Sequence, residues 1–227
     1  MFTLVQSRTY QSDMPLLEAA FRLRKRVFHD RLGWDVRATG DMEFDAYDDK
    51  LAQYLIWCSP DRRKLYGTIR LRPTSAPTLL YDVFGATHGH TPTLRGDTIL
   101  EGTRMCIDEA AIARDFPTLD AGAGFNQLFL ALCEVGLAIG ATRMVSNFEP
   151  GMSRLYRRAG LDCVLHGEAD GYGKRPVRCA SFEVSMPVLA QMRRTIGIDL
   201  PIATLPRGFC RLPTPTASAP PALAARA

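Results

Sequence analysis

No C-x-x-C pair occurs among the six cysteines (Cys58, Cys106, Cys133, Cys163, Cys179 and Cys210), so neither zinc-ligand spacing nor a dithiol redox motif is present. They read as buried thiols in a reducing compartment. Histidine is scarce, and the one close pair, His88 and His90, falls in a Gly/Thr/Pro-rich stretch that reads as loop. Nothing nearby completes a metal site, and no metal is expected. The opening residues, MFTLVQSRTYQSD, lack a charged start followed by an apolar run, and no stretch approaches the ~18 apolar residues that cross a bilayer. A cytoplasmic protein without a membrane span is expected. The formal net charge of +4 is small and the arginines are scattered, so no nucleic-acid partner is implied, whereas an acidic protein partner stays open.

What is present is a chain of 227 residues, 46% hydrophobic and 23% charged, which suits one globular domain. That domain is expected over residues 1–212, with a disordered Pro/Ala-rich tail over 213–227. A first helix is predicted from Ser12 or Asp13 to about His29, with Pro15 in its first turn. Leu17, Ala20, Phe21, Arg24 and Phe28 then share one stripe, which puts a guanidinium on the apolar face. Residues 33–50, rich in aspartate and without periodicity, read as a long loop of the kind that carries function. Strands are predicted over 52–58, 65–72 and 98–107. In the second, Leu65, Ile69 and Leu71 face one way, and Tyr66, Thr68, Arg70 and Arg72 the other. In the third, a bulge at Gly102 would let Glu101 and Arg104 project together.

An amphipathic helix follows around Phe125–Ile139, stopped by Gly140. Strand 142–148, helix 151–159, strand 163–165, a Gly-rich loop, strand 177–185 and helix 188–196 complete the domain. The alternation gives an α/β class with a mixed sheet.

An arginine on an apolar face has to be met by carboxylates. The stretch MEFDAYD supplies Asp45 and Asp48, with Phe44 and Tyr47 forming an aromatic-lined acidic rim, and Glu101 with Arg104 offers another pair. Spacing alone is compatible with a purely structural ion-pair network.

The combination resembles the LuxI-type acyl-homoserine lactone (autoinducer) synthases. Their N-terminal pattern stands here as LRKRVFHDRLGWDV, their two-aspartate stretch as MEFDAYD, their arginine strand as GTIRLRPT and their Glu-x-x-Arg as EGTR. The residues carried over are Arg24, Phe28, Trp34, Asp45, Asp48, Arg70, Phe84, Glu101 and Arg104. LLYDVF, EGTRMCIDE, SNFEP and ADGYGKRPV resemble the rhizobial long-chain members. LEGTR stands where Trp-Glu-Leu-Ser-Arg is usual in the family.

The resemblance implies a GNAT-like three-layer αβα sandwich whose mixed central sheet is split into a V. It also implies transfer of an acyl chain, a long one, from acyl carrier protein or coenzyme A to the amine of S-adenosylmethionine. Lactone closure then releases methylthioadenosine. S-adenosylmethionine is a substrate, and no cofactor is expected. Asp45 and Asp48 would hold its cationic groups, Phe28 and Trp34 cover the sulfonium or adenine, and Arg24, Arg70 or Arg104 orient its carboxylate or the aspartates. Glu101 is the candidate for accepting the amine's proton, with anchoring of Arg104 as the alternative. Phe84, Met105, Met144, Ser146 and Met152 are candidates for the acyl pocket, against a plain role in the core. Arg154, Arg157, Arg158 and Lys174 form a basic surface that would steer an acidic carrier, or serve as a merely solvated face. The competing readings are a GNAT-type N-acyltransferase using another amine, and a catalytically silent binder of acyl ligands.

Overall fold

Strands with buried residues on both faces need a layer of helices on each side, and that is the arrangement found. The computed structural model describes residues 1–213 apart from His90. In chain order the strands are β1 (Phe2–Val5), the small hairpin β2 (Ala38–Thr39) and β3 (Met42–Glu43), β4 (Gln53–Cys58), β5 (Leu65–Pro73), β6 (Ile99–Ile107), β7 (Arg143–Phe148), β8 (Val164–Ala169), β9 (Val177–Glu183) and β10 (Ala203–Thr204). All but the hairpin join one mixed sheet in the order β10-β1-β4-β5-β6-β7-β9-β8, among the described residues.

The helices are α1 (Tyr10–Arg24), continued by a π-helical segment (Lys25–Arg31), then α2 (Leu79–Asp82), α3 (Glu109–Asp115), α4 (Ala121–Ile139), α5 (Met152–Arg158) and α6 (Met186–Ile196). On one face α4 lays Leu128, Leu132, Val135 and Ile139 into the main core with Leu71, Leu100 and Phe182. On the other, Leu16, Leu17 and Ala20 of α1 pack on Tyr54 and Ile56. The expected αβα sandwich is therefore present.

The sheet splits where β6 and β7 part. These parallel strands pair only from Ile99↔Arg143 to Glu101↔Val145, although β6 runs on to Ile107 and β7 to Phe148. The Ser146 hydroxyl donates to the Gly102 carbonyl at 2.9 Å across the opening.

Several sequence expectations are corrected. The 3₁₀ turn Ser7–Thr9, closed by reciprocal Gln6 and Thr9 hydrogen bonds, feeds directly into α1, so the helix starts at Tyr10 and Pro15 lies inside it. A bulge between Trp57 and Cys58 of β4 and their β5 partners exchanges the faces of Leu65 and Tyr66, so that Tyr66 joins the core with Ile69 and Leu71. The bulge in β6 is at Arg104–Met105, since β5 advances two residues from Thr68 to Arg70 while β6 advances three from Cys106 to Thr103. Gly102 is regularly paired with Leu71. β8 is longer than expected and takes in the start of the Gly-rich loop.

By length and composition alone α4 passes as a candidate membrane span, which the sequence reading did not foresee, but half of it is buried in the core. Cys163 and Cys210 are exposed, unlike the other four cysteines. His88 is buried at 2% exposure, and the expected tail lies, beyond Pro213, outside the described residues.

Gly167 of β8 sits against the turn at 85–87, where a Cβ would meet the Thr87 carbonyl oxygen at 2.5 Å. Gly167→Ala must push the strand off that turn and is expected to cost about 1–3 kcal/mol, read as a lower urea midpoint at unchanged m-value.

Candidate active site

The guanidinium on the apolar stripe of α1 sets the local structure. Arg24 is 1% exposed, and its Nη1 and Nη2 donate to the two carboxylate oxygens of Asp48 at 2.7 and 2.8 Å, while Nε donates to Glu43 at 2.5 Å. Glu43, the last residue of β3, turns its other oxygen to Nε of Arg104 at 3.1 Å. Arg104 Nη2 reaches Asp45 at 3.2 Å, Asp45 is gripped by Arg70 at 2.5 and 3.2 Å, and Arg70 returns to Asp48 at 3.0 Å. Three arginines and three carboxylates thus alternate around a closed ring, which lets each buried charge meet two of opposite sign.

The three arginines come from three elements, each for a physical reason, and the acids come from β3 and the loop that follows it. Arg24 arrives by helical spacing and Arg70 by strand alternation. Arg104 arrives by the bulge, its backbone at φ +56. Simple alternation would send Arg104 to the α4 side; the extra residue turns it towards the acids and moves Met105 to the α4 side instead.

Around the ring, Tyr54 donates to Asp48 at 2.8 Å and the Asp45 amide donates to the same carboxylate at 2.8 Å. The Arg24 guanidinium holds the Asp48 carboxyl well below the usual carboxylate range against the opposing effect of burial. Asp45 and Arg104 are the members with open surface, at 17% and 11% side-chain exposure, against 3% or less for the others. Beside them Phe28 lies under the Arg104 guanidinium at 5.7 Å and tilts against the half-buried Trp34 at 4.9 Å.

Glu101 does not form the expected pair with Arg104, whose partners are Glu43 and Asp45. It is 1% exposed and accepts from the Leu80 amide at 2.5 Å. Burial pushes its carboxyl up to about 7, opposed by the Leu80 and Leu79 amides and by Arg70 and Arg104. Glu101 is the last residue of β6 paired with β7, on the same face as Arg70 and Arg72.

The opposite face holds an apolar crevice of about 470 Å³, mouth included, walled by Ile69, Gly102, Met105, Met144, Ser146 and Tyr156 among others. It opens where the sheet splits. Of the five acyl-pocket candidates, Met105, Met144 and Ser146 line it. Met152 packs behind it against the core, and Phe84 is elsewhere, against Tyr172 at 4.9 Å, because the 78–98 segment crosses the other face of the sheet. Arg154, Arg157, Arg158 and Lys174 are exposed, with Arg158 close to Asp120 at 4.0 Å.

Asp48 is 3% exposed and its carboxylate meets Arg24, Arg70, Tyr54 and the Asp45 amide. Sequence reasoning missed Glu43, which closes the ring; its place between Met42 and Phe44 in the quoted stretch was the available signal. It also missed the neighbouring clasp of Arg72 on Asp49, at 2.5 and 3.0 Å.

The autoinducer synthase family matches residues 7–190. The chain is 29% identical over 186 residues to an acyl-homoserine-lactone synthase of Agrobacterium fabrum, covering 78% of this chain and 87% of that one. It is 36% identical over 153 residues to a probable acyl-homoserine-lactone synthase of Sinorhizobium fredii, covering 67% and 73%. Among solved structures it is similar to the CoA-dependent acyl-homoserine lactone synthase MesI, with a TM-score of 0.76 and 25% identity over 89% of this chain and 98% of that one. It is similar in fold to BjaI, solved with SAM and isopentyl-CoA, with a TM-score of 0.77 and 24% identity over 91% and 93%. This chain belongs to the autoinducer synthases, acyltransferases that make acyl-homoserine lactones.

Proposed function

We propose that the chain transfers a long acyl group from acyl carrier protein to the amine of S-adenosylmethionine and then closes the lactone. The observation that carries the reading is the position of Glu101. It stands at the fork of the sheet, between a face offering Asp45 and Arg104 and a face offering an apolar crevice.

S-adenosylmethionine combines a sulfonium, an ammonium and a carboxylate. Asp45 meets its cationic end, Arg104 its carboxylate, and Phe28 with Trp34 gives the sulfonium or adenine a π surface, a contact worth roughly 0.5–2 kcal/mol. Arg24, Glu43, Asp48 and Arg70 hold those groups in place. The acyl chain enters the crevice past Met105, Met144 and Ser146, which leaves the thioester carbonyl at the fork. There the ammonium first gives one proton to solvent, the free amine attacks the thioester carbon, its second proton passes to Glu101, and the C–S bond of the thioester breaks to release the carrier thiolate. Lactone closure follows: a carboxylate oxygen of the acylated substrate attacks the carbon bonded to sulfur, the C–S bond breaks, and neutral methylthioadenosine departs. A sulfonium is a good leaving group, so holding the reacting atoms together meets most of that second demand.

For the donor, the exposed arginines of α5 and Lys174 suit the acidic surface of a carrier protein. Coenzyme A is a second reading, favoured by the fold shared with MesI and BjaI, both CoA-dependent.

A base works only when ionised, so the acylation rate of the wild type is expected to climb with pH through about 7 and then level off. Glu101→Gln should lower the rate at least about a hundredfold and abolish that limb, with S-adenosylmethionine affinity near wild type. The same residue makes a stability statement. Its folded pKa lies above the ordinary 4.5, so its contribution is fully present below that value and is lost as pH rises through about 7. Glu101→Gln should therefore gain on the wild type by about 1–3 kcal/mol between pH 4.5 and 8, measured by denaturation at the two values.

Charge reversal at Arg154 and Arg157 tests the donor. The expected result is a KM for acyl carrier protein raised about tenfold with acyl-CoA turnover unaffected; carrier turnover that ignores the reversal would sink the docking role.

A further inference from the structure

His88 has no place in the reaction as described, yet it is buried beside the base. Its Nε2 lies 3.0 Å from the Leu80 carbonyl oxygen. A carbonyl has no proton to give, so the imidazole is the donor. The amide of the same Leu80 donates to Glu101 at 2.5 Å, and the neighbouring Leu79 amide also favours the ionised carboxylate. Leu80 thus holds Glu101 with one polar group and is held by His88 through the other.

The turn that carries His88 is itself fixed to the sheet. Asn147 of β7 donates to the Thr87 hydroxyl at 2.8 Å, that hydroxyl donates to the Phe84 carbonyl at 2.7 Å, and Gly167 of β8 lies hard against the Thr87 carbonyl. The Tyr81 ring meets the imidazole edge-on at 5.3 Å. A route independent of the ring of ion pairs therefore runs from β7 and β8 to the carboxylate on β6.

We propose that His88 is a positioning residue for acyl transfer: by holding the Leu80 carbonyl it keeps the Leu79 and Leu80 amides aimed at the Glu101 carboxylate. The inference rests on Glu101 being the base. Those amides favour the ionised carboxylate against the cost of burial, so letting them drift raises the pH at which Glu101 gives up its proton. The other groups facing Glu101 are Arg70 of β5, Arg104 of β6, Tyr47 of the acidic loop and Cys179 of β9. Facing His88 are Tyr81, which lies under Arg95, and His166 of β8. None of the groups facing Glu101 is removed by a substitution at 88.

The test is a ¹³C carboxyl NMR titration, with the Glu101 signal identified by its absence from Glu101→Gln. In His88→Leu, and in His88→Asn, whose shorter amide falls short of Leu80, Glu101 is expected to titrate about one unit higher than in the wild type. The Asn variant carries the reading if the Leu variant does not fold. In His88→Gln, whose amide nitrogen reaches the carbonyl, the value returns towards wild type. The acid limb of single-turnover acylation should move with it, at unchanged S-adenosylmethionine affinity. A Glu101 titration that stays at the wild-type value in both the Leu and Asn variants overturns the proposal, and so does a Gln variant that shifts as far as they do. Full acylation by Glu101→Gln would instead remove Glu101 as the base, a result the NMR shift does not depend on.

Discussion

Arg24 is a charge that cannot be left alone. An unpaired guanidinium in that apolar stripe would cost several kcal/mol, and losing one partner of a buried pair costs roughly 3–5 kcal/mol. The chain answers by folding its acidic loop over the helix, with Asp48 and Glu43 as the first contacts. Asp45 is then delivered to Arg70, and Arg104 to both Glu43 and Asp45. A loop with little regular structure of its own is thereby given one defined shape, and the two members of the ring with open surface, Asp45 of the loop and Arg104 of β6, are fixed in place. Pre-organisation of this kind places donors and acceptors before the substrate arrives, so less reorganisation is needed during the reaction.

The sheet separates two kinds of chemistry. One face is dense in charge and the other is apolar, a separation produced by the alternation of side chains along β5 and β6 together with the bulge that brings Arg104 to the charged face. The two faces meet at the fork beyond Glu101 and Val145, where the β6–β7 pairing ends. The two neighbouring residues of β6 face opposite ways at that point: Glu101 towards the charges and Gly102 towards the crevice, where its missing side chain leaves room beside Ile69 and Met144. A Cβ on Gly102 would stand 3.1 Å from Ile69.

Most of the fold was legible because strong periodicity announces it. The apolar face of α4, its Gly140 stop and the strands around Arg70 follow from spacing alone. What escaped is what depends on register. The bulge at Arg104 leaves no mark in this sequence, since an arginine and not a glycine takes its left-handed position, and Gly102 was the more obvious suspect. The true partners of Arg104 were hidden for the same reason: sequence proximity suggested Glu101, and the bulge instead aims the guanidinium at an acid some sixty residues earlier. Glu43 was obscured by the more numerous aspartates around it. His88 was read as part of a loop, and a loop sequence carries no signal that its imidazole lies buried against a sheet face.

The left-handed residue in β6 also constrains how this architecture can vary over evolutionary time. Arg104 and Met105 owe their opposite orientations to one additional residue in the strand, so loss of one residue just after Arg104 would restore simple alternation and turn the guanidinium into the apolar compartment. No succession of point substitutions passes smoothly between those arrangements. Lineages that adjust the greasy compartment by changing side chains are thus free to do so without disturbing the ionic one, provided the length of this strand is kept.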